Sequence, residues 1–305
     1  MQPKPGERVY DPCFGTAGFL GESSDYMRRS GRLSARQIEK LQKETFYGIE
    51  NKPLTYLLGT MNMILHGIEG ANLELSNTLE IHNANVPEKD KYQVVLANPP
   101  YGGKMAQQLQ TNFRVRSSAT ECLFLQHIMT ALAKGGRAGV IVPEGVLFRG
   151  GPDQKVRKEL LEQFNVQTIL SLPAGCFLPY TGVKTNVIFF NRPERQPDAG
   201  TTATQSVWFY ELTNDGFELK QTRKTIDGNQ IPDFLAKWKD RAIGENSWTV
   251  PVTELAERGS DLSAKNPDRK DDYEHRPALE LVQSIKTKED RIMELLDELE
   301  GILEK

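Results

Sequence analysis

Between about residues 8 and 191, short apolar runs alternate with longer amphipathic ones, and nothing else in the chain restricts its fold so strongly. "ERVYDP" reads as a short strand entering a glycine loop, with a helix expected from near Gly18 through "LGESSDYMRRS". "ETFYGIE" is a second strand, and "PLTYLLGTMNMILHGI" a helix opened by Pro53. "YQVVLANPP" is a strand ended by prolines, "ATECLFLQHIMTALAKGG" an apolar-faced helix with a Gly-Gly stop, and "RAGVIVP" another buried strand. "QKVRKELLEQF" and "VQTILSL" repeat the pair, and "KTNVIFFNR" closes the series. The alternation specifies an α/β fold, a mostly parallel sheet covered by helices on both faces.

Beyond Arg192 the texture changes. "PERQPDAGTTATQS" is polar and proline-rich, as in a linker or long loop. "VWFYEL" and "FELKQTRKTI" resemble a hairpin turning at Asp215-Gly216. A short helix near "PDFLAKWKD" is expected next, then irregular chain to about Pro277. From there Ala278, Ile285, Ile292 and Leu299 recur every seven residues, with Leu281, Lys288, Leu295 and Ile302 three further on. This C-terminal helical tail either folds back onto its own domain or docks a partner helix; its densely charged opposite faces favour the partner. The expected parts are 1–192, a catalytic-type α/β domain, 193–274, a hairpin and irregular extension, and 275–305, the heptad-patterned helix.

Composition narrows the class. A chain of 305 residues with 38% hydrophobic content can bury a real core. No run approaches the roughly 20 apolar residues of a membrane helix, and "MQPKPGERVY" lacks the plan of a signal peptide. Cys13, Cys122 and Cys176 form no CxxC pair, which suits a reducing cytoplasm. His66, His82, His127 and His275 are scattered, so no metal site is expected. A net charge of −3 means that any affinity for nucleic acid must come from a local patch or a partner.

Chemistry concentrates at the ends of the strands "ERVYDP", "ETFYGIE" and "YQVVLANPP". In "DPCFGTAGFL", Gly15, Gly18 and Gly21 follow a strand and open a helix, where backbone can approach a nucleotide-type ligand. The spacing departs from the dinucleotide fingerprint, and alone it also suits an ordinary tight turn. Glu50 ends the second strand, placed to accept hydrogen bonds from ribose hydroxyls, or to serve as a charge near a helix start. Asn77 in "SNTLE" could read an adenine edge or simply form a turn.

"VVLANPPYGG" is the decisive stretch. A buried strand delivers Asn98, Pro99, Pro100 and Tyr101 to the carboxyl edge of the sheet, where open α/β folds bind ligands. The two prolines fix the backbone, so the Asn98 amide oxygen and a neighbouring carbonyl stand in a defined relation. Two acceptors aimed at an exocyclic amine favour its pyramidal, nucleophilic form, and Tyr101 offers a face for a base. NPP alone also suits a proline-rich turn. Asp11, the glycine loop, Glu50 and NPPY in this order favour the chemical reading.

Together "DPCFGTAGFL", "FYGIENKPLTYLLGTMNMILHGI", "NTLE", "NPPYGG", "ATECLFLQHIMTALAKGGRAGVIVPEGVLFRGG" and "KTNVIFFNR" resemble the modification subunit of type I restriction-modification systems, an adenine-N6 DNA methyltransferase family. The similarity covers most of 8–192 and continues in "DLSAKNP" at 261–267. It implies a Rossmann-like S-adenosylmethionine-dependent methyltransferase fold. It also implies that Asp11, Gly15, Thr16 and Gly18 hold the methionine part of the cofactor, Glu50 its ribose and Asn77 its adenine. Asn98 and the Pro99 carbonyl would hold the target amine, with Pro100 fixing the turn and Tyr101 stacking on a flipped adenine. Cys13 lies inside the glycine loop, away from the position of a cytosine-C5 nucleophile, and is read as a small filler. Phe148 and Phe177 are candidate aromatic walls on the target side.

The resemblance further implies DNA, a specificity subunit and a restriction subunit as partners. In this family a helical domain precedes the glycine loop, whereas ten residues precede Asp11 here, so a fragment or truncated product is expected. Two alternatives stay open: the same chemistry on a protein glutamine or an RNA adenine, and a non-catalytic assembly module.

Overall fold

Val9–Asp11 forms β1, three buried residues paired in parallel with a neighbour on each side. The computed structural model describes residues 1–81, 86–198, 200–263, 265–267 and 278–303, without side-chain detail at 278–281 and 298–303. His82, His275 and the stretch 268–277, and the side chains of Ala278, Leu281, Leu299 and Ile302, lie outside the described residues. Residues 1–266 form one unit and 267–305 another.

After β1 come α1 (Gly18–Arg29), α2 (Ala35–Lys43), β2 (Phe46–Glu50), α3 (Pro53–Leu65) and β3 (Asn72–Leu75). β4 (Tyr92–Ala97), α4 (Gln107–Gln110), α5 (Thr120–Ala131) and β5 (Leu132–Pro143) follow. Then come α6 (Gly145–Phe148), α7 (Pro152–Gln163), β6 (Asn165–Ser171), β7 (Thr185–Asn191) and β8 (Ser206–Glu211). α8 (Ile231–Trp238), β9 (Ser247–Pro251) and α9 (Val252–Glu257) complete the first unit, and α10 (Ala278–Leu303) lies in the second.

The nine strands form one sheet in the order β3-β2-β1-β4-β5-β7-β6-β8-β9, in which only β7 and β9 run against the rest. Alternate side chains of each strand enter opposite faces. Val9 and Val94 join Phe14, Leu20, Met27, Phe46 and Met63, whereas Tyr10 and Val95 join Ile128, Val140, Val156, Leu160 and Phe190. The chain reverses its direction of travel across the sheet between β1 and β4, so their carboxyl ends flank the crevice where such folds bind ligands.

Several sequence expectations are corrected. The hairpin across Asp215-Gly216 does not form: β8 pairs in parallel with β6 and antiparallel with β9, and Phe217 meets Thr225 only in an isolated bridge. The segment after Arg192 therefore extends the same sheet, packed by Trp208, Tyr210, Phe234 and Trp238. The irregular stretch before Pro277 contains β9 and α9. α5 ends at Ala131 rather than at Gly135-Gly136, and β5 runs through both glycines, with Gly135 in the left-handed region at φ +69°.

α2 and β3 were not anticipated. Ser34 and Gln37 close a capping box at the start of α2. α3 has only Gly59 and Met63 fully buried and turns Leu54, Leu57, Leu58, Met61, Ile64 and Leu65 outward.

Candidate functional site

The glycine loop owes its shape to Phe14. Its ring occupies the space left by two glycines: a Cβ on Gly48 of β2 would come within 2.6 Å of it, and one on Gly59 of α3 within 2.5 Å. Phe14 N–H donates to the Ile49 carbonyl at 3.2 Å, and Asn62 Nδ2 of α3 donates to the Thr16 carbonyl at 2.8 Å. Between these anchors the chain turns through two left-handed residues, Gly15 at φ +56° and Ala17 at φ +60°, before α1 begins at Gly18. A Cβ on Gly18 would meet nothing within 4 Å, and one on Gly15 only the Cys13 carbonyl at 4.0 Å. These glycines border open space, as a loop that cradles a ligand requires.

Glu50, at the end of β2, is 8% exposed. Its Oε2 accepts Gly15 N–H at 3.0 Å, and its Oε1 accepts those of Asn51 and Lys52 at 3.0 and 2.9 Å. The carboxylate thus joins the glycine loop to the start of α3, and Oε2, with a single bond, retains acceptor capacity for a ribose hydroxyl. Asp11 is 2% exposed, and its Oδ1 accepts Cys13 N–H at 3.0 Å. Burial raises its pKa to about 7, with the Glu50 charge adding to the rise. A cationic ligand group beside it would favour the ionised form.

Asn77 follows β3, whose extension holds Ser76 N–H on the Glu50 carbonyl at 3.0 Å. Its Oδ1 accepts Leu79 N–H at 3.2 Å, and its Nδ2 donates to Glu80 at 2.8 Å, so the side chain caps the single turn Thr78–Glu80. That is the turn role. Thr78 donates to the Pro12 carbonyl, which fixes this turn against the glycine loop.

β4 delivers Asn98 and Pro100 exposed, Pro99 buried and Tyr101 half-buried. The Tyr101 hydroxyl donates to Asn98 Oδ1 at 2.5 Å. Burial raises the Tyr101 pKa, followed by the neighbouring Cys176, Cys13 and Glu121, so the hydroxyl stays a donor. The Asn98 oxygen keeps a second lone pair for an incoming N–H. Burial pushes the Cys13 thiol well above the usual range, with the Asp11 and Glu50 charges adding to the rise. Such a thiol is a poor nucleophile and suits a packing role.

The candidate walls lie at the same edge, Phe148 exposed in α6 after β5 and Phe177 half-buried between β6 and β7. Two polar residues outside the site expected from sequence, Thr120 and Glu121, begin α5 beside the loop after Tyr101. Nothing in their spacing distinguishes them from the first turn of any helix.

A mostly parallel sheet reversing at β1/β4, a glycine loop tied to an acidic residue ending β2 and an NPPY turn ending β4 are the features of the S-adenosylmethionine-dependent methyltransferase class. Within it, the chain belongs to the N-6 DNA Methylase family, whose model matches residues 1–276. It is 36% identical over 318 residues to the type I restriction enzyme EcoEI methylase subunit of Escherichia coli, covering 99% of this chain and 62% of that protein. It is 37% identical over 277 residues to the EcoKI methylase subunit of Escherichia coli K12, covering 84% of this chain and 51% of the relative. A solved chain from a study of complex assembly and conformational transition in the type I R-M system superposes with a TM-score of 0.76 at 40% identity, covering 99% of this chain and 63% of that one. This chain thus spans roughly half to two-thirds of the length of these relatives.

Proposed function

We propose that this chain carries the catalytic core of a type I modification subunit, transferring a methyl group from S-adenosylmethionine to the N6 amine of adenine in DNA. The observation that carries the reading is the parallel pairing of β1 with β4, which brings the Glu50-anchored glycine loop and the exposed Asn98 to one edge of the sheet. The cofactor supplies an electrophilic methyl on a sulfonium centre. Asp11, Gly15, Thr16 and Gly18 would border its methionine part and Glu50 its ribose. Asn77 would approach its adenine by the backbone and edge of the turn that its side chain caps.

The Asn98 oxygen and the Pro99 carbonyl would accept the two N–H bonds of the target amine and draw its lone pair out of conjugation. The amine nitrogen, so activated, would take the methyl group in exchange for one of its protons, which leaves to solvent. Tyr101 would stack on the extruded base, whose unpairing costs a few kcal/mol.

Phosphate affinity has a local source despite the net charge of −3. Lys52 at the start of α3, Lys104 after the NPPY turn and Arg149 after α6 are exposed at the same edge of the sheet. Among the described residues no helix is long and apolar enough to cross a membrane. The reading places the enzyme in the cytoplasm with DNA, a specificity subunit and a restriction subunit as partners.

α10 exposes Val282, Ile285, Ile292, Leu295 and Leu296 along its length. It would offer this seam to a helix of the specificity subunit.

Incubation of the chain and its specificity subunit with duplex DNA and labelled S-adenosylmethionine tests the reading, with N6-methyladenine as the expected product. Label on a protein glutamine or on RNA would instead support another acceptor.

A further inference from the structure

The turn that presents Asn98 and Tyr101 is held from beneath by the first turn of α5. Glu121 is 4% exposed, and its Oε1 accepts Gly102 N–H at 2.7 Å. Thr120 donates its own N–H to the Gly103 carbonyl at 3.2 Å, and its hydroxyl lies 3.3 Å from the Pro100 carbonyl. Gly103 leaves room for this contact, since a Cβ there would come within 2.7 Å of Thr120 Oγ1. Pro100, Gly102 and Gly103, three of the four residues after Pro99, are thereby fixed through their main chain.

A buried carboxylate is costly, and beyond Gly102 it meets only the neighbouring Thr120 hydroxyl, at 3.4 Å, among the described hydrogen bonds. The amino end of α5 offsets part of that cost. An apolar side chain of similar size would fill the same space without it. What the carboxylate adds is a strong, directional acceptor for the peptide that follows Tyr101.

We propose that Glu121 is a positioning residue: by holding the Tyr101–Gly102 peptide it sets where the Tyr101 ring and the Asn98 amide meet the target base. The inference rests on the reading of Asn98–Tyr101 as the target-base site. Rates of reactions governed by orientation are sensitive to small displacements, about 10²-fold for 1 Å. A loop released at Gly102 therefore loses turnover while the cofactor side, anchored by Glu50 and Phe14, stays intact.

The test compares wild type, E121A, E121Q and G103A by hydrogen exchange over 98–105 and 11–20, by calorimetric titration with S-adenosylmethionine, and by methyl transfer with the specificity subunit. E121A is expected to exchange faster at 98–105 but not at 11–20, to bind cofactor like wild type, and to lose about 10- to 100-fold in kcat. E121Q keeps an oxygen acceptor for Gly102 N–H and is expected to recover most of both losses.

If E121A does not fold, G103A, whose Cβ would press the loop off the same turn of α5 at Thr120, is expected to show the same separation of kcat from cofactor binding. Unchanged exchange at 98–105, unchanged kcat, or equal impairment of E121A and E121Q would overturn the proposal. A wild-type complex that methylates nothing would count against the target-base reading instead, and exchange at 98–105 would still decide what Glu121 holds.

Discussion

Glu50 accepts the Gly15 N–H at 3.0 Å, so the residue expected to meet a cofactor ribose also fixes the loop expected to meet its methionine part. With its two further bonds to Asn51 and Lys52 N–H, one carboxylate organises both edges of the pocket. Glu50→Ala leaves three backbone donors to find other partners, at about 1–3 kcal/mol for a buried group left unsatisfied. Urea unfolding and calorimetry should therefore show stability and cofactor affinity falling together. Loss of affinity at unchanged stability would mean that Glu50 acts on the ligand alone.

Asn98 and Tyr101 should separate by substitution. Asn98→Ala removes a preorganised acceptor and is expected to lower kcat by about 10²–10³-fold with the fold intact. Tyr101→Phe keeps the ring and loses one hydrogen bond to Asn98, so about 0.5–1.5 kcal/mol, a several-fold fall, is expected. Single-turnover methylation distinguishes the two; equal effects would mean that the hydroxyl, and not the stacked ring, carries the role of Tyr101.

Asp11 gives a pH signature. Burial raises its pKa to about 7 from an ordinary 3.8, so between those values the folded state holds a proton that the unfolded chain releases. Its contribution to stability is full below pH 4, declines as pH rises toward 7, and is flat above. The stability of Asp11→Asn relative to wild type should increase across that window in denaturant titrations. A difference independent of pH from 4 to 8 would show that Asp11 ionises normally.

Much of this was legible in the sequence because each site strand ends on its own motif: β1 on the glycine loop, β2 on Glu50, β4 on NPPY. α2 also carries a sequence signature, the capping-box pair Ser34 and Gln37. β3 was not legible, since its four residues are short and none is buried. The false hairpin has a local cause: Asn214 and Asp215 do form a turn, with side-chain bonds to Gly216 and Phe217 N–H, whereas the partners of β8 lie far along the chain on either side. Glu121 looks like any acid in the first turn of a helix, and only the approach of Gly102 reveals its task.

The seam of α10 can be tested apart from the catalytic unit. Ile285 and Ile292, 58% and 56% exposed, are seven residues apart on one helical stripe. The double change Ile285→Lys, Ile292→Lys should abolish co-purification with the specificity subunit while leaving calorimetric binding of S-adenosylmethionine unchanged. Undiminished co-purification would place the docking surface elsewhere.

The central claim is that the Asn98 turn presents an adenine amine for methylation. Its most direct test is mass spectrometry of nucleosides from duplex DNA incubated with S-adenosylmethionine, the specificity subunit and either the wild-type or the Asn98→Ala chain. The account predicts N6-methyladenine with wild type and none above background with the variant. Equal N6-methyladenine from both, or methylation confined to protein or RNA, would contradict it.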